Sequence, residues 1–399
     1  MRLLAVLCGS SLLLSAQLAP EVELLARIRV HMLSNLERQP DYTCVETVER
    51  SRRLGAARKF QLQDTLRLEV ALVEGHEMFG WPGSKKFEDT DLRNMVTTGA
   101  IGNGNFASHA RSIFVGRNAT FQYRGEAPLD ERASVRYDFR VPLFLSGFRI
   151  RISDREAVVG YHGSFHADPQ TLDLQRLEVV ADDIPPQLGL SSASDRMDYA
   201  RTPIGEGQFL LPSGSELSMI DLHGQESRNR VRFTSCRQFT GESVLSFGDP
   251  PGPEGAPTPA AGAPGREIDL PPALGFTLSL LDEIDTETSA VGDPVRALLD
   301  RDLKYKGRLL FPKGSVATGR VTRMERRSDY TIVGLEFSEI QSPGAHARLQ
   351  SKLESAAGLQ AFAPRGRMAG LDPGPGEGLI PLRSGRIHLR RGILMFWRT

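Results

Sequence analysis

Two histidines and an aspartate in "GYHGSFHADP", His162, His166 and Asp168, are the first residues whose types and spacing suggest chemistry. Four positions apart on a straight strand, both imidazoles would share one face, but Gly163 and Pro169 predict a bend there. No third ligand stands at a fixed local offset, and neither "HExxH" nor paired "CxxC" units occur, so these histidines are read as surface or cross-strand groups and no metal is expected. His76, His109, His223 and His388 are isolated and read as structural. "GNGNFA", Gly102 to Ala107, formally satisfies the glycine pattern of a dinucleotide turn. That chemistry needs a buried strand before it and a helix after it, and no regular βαβ unit surrounds this segment. No cofactor is expected. Asp182 with Asp183, and Asp282, Glu283 and Asp285, could be imagined as general acid and base, yet charged runs at strand ends are usually solvated edges. With no "GxSxG" elbow either, no catalytic residue is assigned and an enzyme is not expected.

The cysteines raise a different question. The chain has three, Cys8, Cys44 and Cys236. Cys8 lies in "MRLLAVLCGSSLLLSAQLAP", where Arg2 precedes an apolar run from Leu3 to Leu14 and the small pair Ser15 and Ala16. This pattern is a secretory signal peptide over residues 1–19, cut near Ala16 or Ala19, and its apolar run is too short for a membrane span. A lipid-anchor reading of Cys8 is disfavoured because Leu7 precedes it and it stands too early. The mature chain is thus expected outside the cytoplasm, periplasmic or secreted, with no transmembrane anchor. In an oxidising compartment Cys44 and Cys236 favour one disulfide over two inert core thiols or a metal pair. Around Cys236, "NRVRFTSCRQF" alternates Val231 and Phe233 with Arg230, Arg232 and Thr234. Parity then points Cys236 away from Val231 and Phe233, which requires a cover on that second face. The helix ahead of Cys44 is the natural candidate.

Composition sets the frame for these elements. Of 399 residues 40% are hydrophobic and 25% charged, and 49 basic side chains balance 49 acidic ones. That balance removes the electrostatic argument for nucleic acid or a strongly anionic membrane surface. Length suggests two domains. They divide at "GDPPGPEGAPTPAAGAPG", which has no large apolar residue, cannot offset its ordering entropy by burial, and would span on the order of 40 to 50 Å if stretched. The expected organisation is residues 20–247 as one domain, 248–269 as a linker and 270–399 as a second domain.

The first domain opens with a helix from Pro20 to Arg38, with Leu25, Ile28, Met32 and Leu36 on one stripe. After Pro40 the period changes to two. Leu66, Leu68, Val70 and Leu72 share one strand face, as do Val135, Tyr137, Phe139 and Val141. Further strands are predicted at "SIFVGRNATFQY", "FRIRIS", "EAVVGYHGSFHAD", "TLDLQRLEVVADDI", "MDYAR" and "SELSMIDLHG". Apolar parity flips between Leu174 and Leu177, which predicts a β-bulge at Gln175 or Arg176 and a strongly curved sheet. A short helix is predicted over Thr90 to Thr98. The second domain shows short alternating strands, with Phe276, Leu278 and Leu280, then Val333, Leu335 and Phe337, on common faces. After a Gly- and Pro-rich excursion, "GRIHLRRGILMFWRT" should close it, with Trp397 a core or rim aromatic.

The fold class is therefore mainly β: a curved antiparallel sheet with one or two packed helices, plus a second small β-barrel. A leading helix, a Tyr-Thr-Cys start and "VGYHGSFHADPQTLDLQRLEVVADDIP" together resemble uncharacterised bacterial exported proteins whose N-terminal part is similar to periplasmic lipoprotein carriers and the related envelope-stress sensor domain (LolA- and RseB-like). The resemblance implies an apolar cavity between sheet and helix, with Leu25, Met32, Leu68 and Val70 as lining candidates, and a lipid, acyl chain or lipoprotein as ligand. The Leu-Pro start, Val-Gly-Asp turn and Phe-Pro-Lys-Gly-Ser turn of the second domain resemble the periplasmic β-barrel of conjugal-transfer TrbI-like proteins. That chain pattern lacks the family's membrane anchor and pore insert, so only the barrel is carried over. Two functions stay open: a non-enzymatic envelope protein that binds a lipid or lipoprotein, or a scaffold that joins envelope proteins and holds no small molecule.

Overall fold

The computed structural model describes residues 18–83, 87, 108–116, 118–152, 155–239, 266–327, 329–357, 373–383 and 385–399. The signal-like segment to residue 17, the helix predicted over Thr90 to Thr98, the glycine turn Gly102 to Ala107 and most of the Pro/Gly-rich linker lie outside these residues.

Helix α1 spans Pro20–Arg38. Proline at its first position needs no amide partner, Glu21 and Glu23 face the positive end, Arg38 faces the negative end, and Pro40 stops it. Ile28, Met32, Asn35 and Leu36 are its buried face. A second helical segment, Ser108–Ala110, runs into a π-helical turn at Arg111–Val115. This corrects the strand predicted to start at Ser112: only Thr120–Glu126 of that stretch is extended. Ile113 and Phe114 are buried by the helical turn, a demand of tertiary packing that overrides β-branched propensity.

The first sheet is antiparallel throughout. Its strands are β1 (Tyr42–Leu54), β2 (Gln61–Val73), β3 (His76–Gly80), β4 (Thr120–Glu126), β5 (Val135–Val141), β8 (Gly160–Ala167), β9 (Leu174–Asp182), β10 (Leu190–Ile204), β11 (Gly207–Asp221) and β12 (Gln225–Gln238). Their order is β3-β2-β1-β12-β11-β10-β9-β8-β5-β4, so the first strand pairs with the last. A separate hairpin, β6 (Arg149–Ile152) with β7 (Arg155–Val158), stands beside it. The bulge expected in β9 is present: His166 pairs with Arg176 and Ala167 with Leu174, which leaves Gln175 as the extra residue.

Cross-strand register builds one inner face. A row of side chains runs Leu66, Val48, Val231, Ser215, Met197, Leu177, Phe165, Tyr137. The adjacent row runs Asp64, Arg50, Asn229, Leu217, Asp195, Val179, Gly163, Phe139. Gly163 is required there, because a Cβ would stand 1.9 Å from the Glu178 carbonyl and 2.9 Å from the Phe139 ring. Helix α1 and the Ser108–Val115 segment cover this face.

Cys44 and Cys236 are disulfide-bonded across β1 and β12. The parity argument for Cys236 is corrected. Ser235 has φ 51° and the β1–β12 register shifts between Thr43 and Val45, so the alternation slips by one residue. Cys236 therefore packs with Val231 and Phe233 instead of opposite them, and α1 is not its cover.

The second sheet begins at Arg266. Its strands are β13 (Arg266–Glu267), β14 (Gly275–Leu280), β16 (Pro294–Leu299), β19 (Val316–Arg326), β20 (Tyr330–Ser342), β21 (Ala345–Arg348), β22 (Lys352–Ala356), β23 (Glu377–Arg383) and β25 (Leu394–Arg398); short pairs β15 (Ile284–Asp285) with β24 (His388–Leu389) and β17 (Leu303–Tyr305) with β18 (Arg308–Phe311) accompany it. Arg266 and Glu267, expected within the linker, already pair with β21. The sheet curls until β22 and β23 touch, and Trp397 is fully buried in its core, edge-on to Phe337.

The two sheets meet along the open part of β2. Leu66 bridges Val291, the Arg67 amide donates to the Val291 carbonyl at 2.7 Å, and Arg67 pairs with Asp293. Leu66, Leu68, Val70 and Phe233 of the first sheet share one buried cluster with Phe276, Val291 and Leu335 of the second. Gly292 makes this approach feasible: it has φ 100°, and a Cβ would lie 2.2 Å from the Arg67 carbonyl and 2.7 Å from Trp81.

Two variants test this framework. Gly292→Ala should destabilise the chain by about 3 kcal/mol or more, read as loss of denaturation midpoint. Cys44→Ser should lower stability by roughly 5 kcal/mol in the chain-entropy account, and an unchanged melting temperature together with unchanged non-reducing mobility would refute the bridge.

Candidate functional site

The inner face of the first sheet divides into an aromatic layer and an acidic patch. In the layer, Phe165 stacks on Tyr137 at 5.2 Å between ring centroids and receives the edges of Phe114 at 5.1 Å and Phe121 at 6.1 Å. Tyr161 meets Phe139 and Phe148 edge-on. Such pairs are favoured by their quadrupoles beyond the area they bury. The two tyrosine hydroxyls are satisfied: Tyr137 donates to the Glu21 carbonyl at 2.6 Å and Tyr161 exchanges a hydrogen bond with Ser112.

Helix α1 is pinned over this layer at three levels. The Tyr137 bond holds its start. His31 meets Asp173 at 2.8 Å, and Arg201 also pairs with Asp173, which lowers that carboxyl below its usual range. Buried Asn35 closes a two-way pair with the Leu210 backbone, at 3.0 and 3.1 Å.

The acidic patch lies beside the layer on the same face. Glu46 sits between Leu68 and Phe233 in the cross-strand register and is 5% exposed. Burial, reinforced by the like charge of Glu77, pushes its pKa up to about 8. Asp195 is 4% exposed, and burial raises it to about 7. Among the described residues neither of its oxygens accepts a hydrogen bond of ordinary geometry, although the Arg196 amide acts against the rise. His109 stands 3.6 Å away, too far for a hydrogen bond, and its own burial lowers it to about 4. Burial also raises the phenols of Tyr42 and Tyr199, which feel Glu77 and, for Tyr199, Asp195. His109 in turn packs edge-on to Phe148, which joins the patch to the aromatic layer.

The predicted cavity-lining residues fall into two places. Leu25 and Met32 belong to the aromatic cluster under α1. Leu68 and Val70, both fully buried, belong to the cluster shared with the second sheet. The structure thus does not bring the four together around one space, because the contact at Val291 claims the β2 side chains.

The histidines and carboxylates singled out by the sequence are separated by pairing. His162 bonds Asp182 at 2.6 Å, His166 meets Ser134 at 3.3 Å, and Asp168 caps its own turn by accepting from Gln170 and Thr171. Asp282 pairs with Arg296, Glu283 with His388 and Asp285 with Arg386. No group of three His, Cys, Asp or Glu able to hold a metal occurs among the described residues. His162 and Asp182 instead border a groove of about 600 Å³ on the outer face, with Arg124, Asp138, Ser164 and Glu178. Its charges satisfy one another: Asp138 takes Arg124 and Arg136, and Ser164 donates to Glu178.

Sequence reasoning missed the acidic patch. Its one signal was Glu46 and Asp195 in the apolar parity of their strands, where a charged residue breaks the alternation.

No family model matches the sequence, and no curated protein matches it. Among solved structures, an outer membrane lipoprotein-sorting protein domain from Vibrio parahaemolyticus is similar at 11% identity and a TM-score of 0.29, covering 52% of this chain and 92% of that one. A DUF1329 family protein from Desulfovibrio piger is similar at 10% identity and a TM-score of 0.31, covering 56% of this chain and 96% of that one.

The raised acids set a pH dependence. A carboxyl whose pKa is higher folded than unfolded stabilises most below its unfolded value, and that contribution is lost as pH climbs through the folded one. Between about 4.5 and 8 for Glu46, stability should therefore fall with rising pH. Glu46→Gln should remove much of that slope and raise the melting temperature at pH 8 by roughly 5 °C. His109 acts in the opposite sense, costing stability as pH falls from 6.5 towards 4.

Proposed function

We propose that this chain is an exported, non-catalytic cell-envelope protein that binds an amphiphile, a lipid, acyl chain or lipoprotein, against the inner face of its curled sheet. One observation carries the reading. Asp195 is buried at the border of an aromatic layer, with Met197 and Val179 as its inner-face neighbours, yet among the described residues neither oxygen has a hydrogen-bond donor of ordinary geometry. A buried acceptor without a donor is costly and rare. An amphiphile answers both halves of such a surface, its chain against the aromatic rings and a hydroxyl, amine or amide at the carboxyl. The disulfide fits an oxidising compartment, and no helix among the described residues is long and apolar enough to cross a membrane.

A second reading, an envelope scaffold joining other proteins, draws on a different observation. Leu68 and Val70 are committed to the contact between the sheets, and α1 is pinned over a layer already filled by aromatic side chains.

Lipid extraction and mass spectrometry on the mature protein, prepared from the periplasm of an expression host without detergent, should return a stoichiometric lipid. A fluorescent fatty acid should bind the delipidated protein, and Asp195→Leu should weaken it about ten-fold while raising the melting temperature, since it removes an unsatisfied buried acid. An empty protein that ignores the fatty acid would reject the amphiphile reading and favour the scaffold.

A further inference from the structure

The sequence "RVPLFLSGFRIRISDREAVV", Arg140 to Val159, leaves β5 and returns through the β6–β7 hairpin before β8. Leu143–Leu145 forms a 3₁₀ turn at its crest. Leu143 is 49% exposed, Leu145 42%, and Phe144 at 84% is the most exposed large apolar side chain among the described residues. Three consecutive apolar residues held out into water on a turn are a liability unless something receives them.

The mounting of this crest is firm. Ile150 and Val159 are buried in a small cluster with Leu188 and Leu190, and the Val159 amide donates to the Phe148 carbonyl at 3.0 Å. A Cβ on Gly160 would lie 3.0 Å from the Leu143 nitrogen, so the turn sits directly on β8. Its backbone is also satisfied from within. The Leu145 amide donates to the Pro142 carbonyl and the Ser146 amide to the Leu143 carbonyl, the Phe148 amide donates to the Ser146 hydroxyl, and Asn118 donates to the Leu145 carbonyl at 2.9 Å. A turn that has already paired these peptide groups can enter a medium of low dielectric without leaving them bare.

Charge decides what that medium is. The chain as a whole is neutral, but Arg140 to Val159 carries four arginines against two acids. Arg140, Arg149 and Arg151 are 66%, 67% and 44% exposed; Arg140 pairs with Asp182, and Arg149 and Arg151 both pair with Glu156. Arg155 is exposed as well. Long guanidinium stems flanking an apolar turn in the chain suit an interface where the tip sinks among acyl chains and the charges stay at the headgroups. A fluid bilayer can receive such an exposed turn without a preformed socket.

We propose that Leu143–Phe144–Leu145 is a bilayer-inserting tip that docks this protein on anionic phospholipid surfaces. The proposal does not depend on an amphiphile bound at the inner face.

The test uses the full mature chain and vesicles of phosphatidylcholine with or without phosphatidylglycerol. Wild type should co-sediment with the anionic vesicles, less so at high salt, and Phe144→Asp should weaken this about ten-fold or more. Because Phe144 is so exposed, that variant should keep the wild-type melting temperature. In Phe144→Trp, emission should shift to the blue when anionic vesicles are added. Equal sedimentation of wild type and Phe144→Asp, or no shift from Phe144→Trp on vesicles that the protein binds, would overturn the tip. Equal binding to neutral vesicles would overturn the role of the arginines. A wild-type dimer that Phe144→Asp converts to monomer, without vesicle binding, would assign the crest to a second copy instead. Fatty-acid binding should be unchanged by Phe144→Asp, so failure of the tip and failure of the inner-face reading are separately visible.

Discussion

The pairing of the first strand with the last is the constraint on which the molecule depends. β1 and β12 are far apart in sequence, with Cys44 and Cys236 separated by 192 positions, yet they form the seam that turns a meander into one curled sheet. Closing so long a loop is costly in chain entropy. Three features stabilise the seam: the disulfide, the local slip at Ser235 that brings Cys236 to the inner face, and the register that sets Arg50 against Asn229 and Asp64. Once it is made, every strand from β2 to β5 has a fixed inner side.

That inner side buries charge in two different ways. Arg50 and Asp64 are taken out of water as a pair, with guanidinium bonds of 2.7 and 2.5 Å to the carboxylate, so the lost hydration is offset by Coulomb attraction and geometry. For Glu46 and Asp195 burial is the largest influence and raises their affinity for protons. The first solution holds strands together. At Asp195 the second leaves a carboxyl that would gain from a donor, next to aromatic rings.

The charge distribution has a similar lesson. A net charge of zero rules out broad attraction to an anionic surface, but 49 positive and 49 negative groups need not be mixed evenly. On the outer face around His162 and Asp182 they are mixed, and each satisfies a neighbour. On the β6–β7 hairpin Arg149, Arg151 and Arg155 stand against Asp154 and Glu156, and the hairpin follows in sequence on Phe144, the most exposed aromatic ring among the described residues.

Local pattern was enough for much of this. Period 3.6 with Pro20, Glu21 and Pro40 determined α1 to its ends, period two determined the strand faces of β2 and β5, and the parity break between Leu174 and Leu177 placed the bulge at Gln175 or Arg176, of which it takes Gln175. These are properties of a residue and its near neighbours, and one sequence contains them. Two calculations by the same logic failed at Ser112–Val115, which is helical, and at Cys236, whose face depends on a single left-handed residue. The fate of Leu68 and Val70 was equally illegible, because a strand face says that a side chain will be buried and not against what. Only the tertiary structure decided that the second sheet covers them, that Asp195 lies beside His109 with no donor among the described residues, and that Phe144 stays exposed. Each of these follows from contacts between residues remote in sequence, whose energy depends on distance in space and leaves no period along the chain.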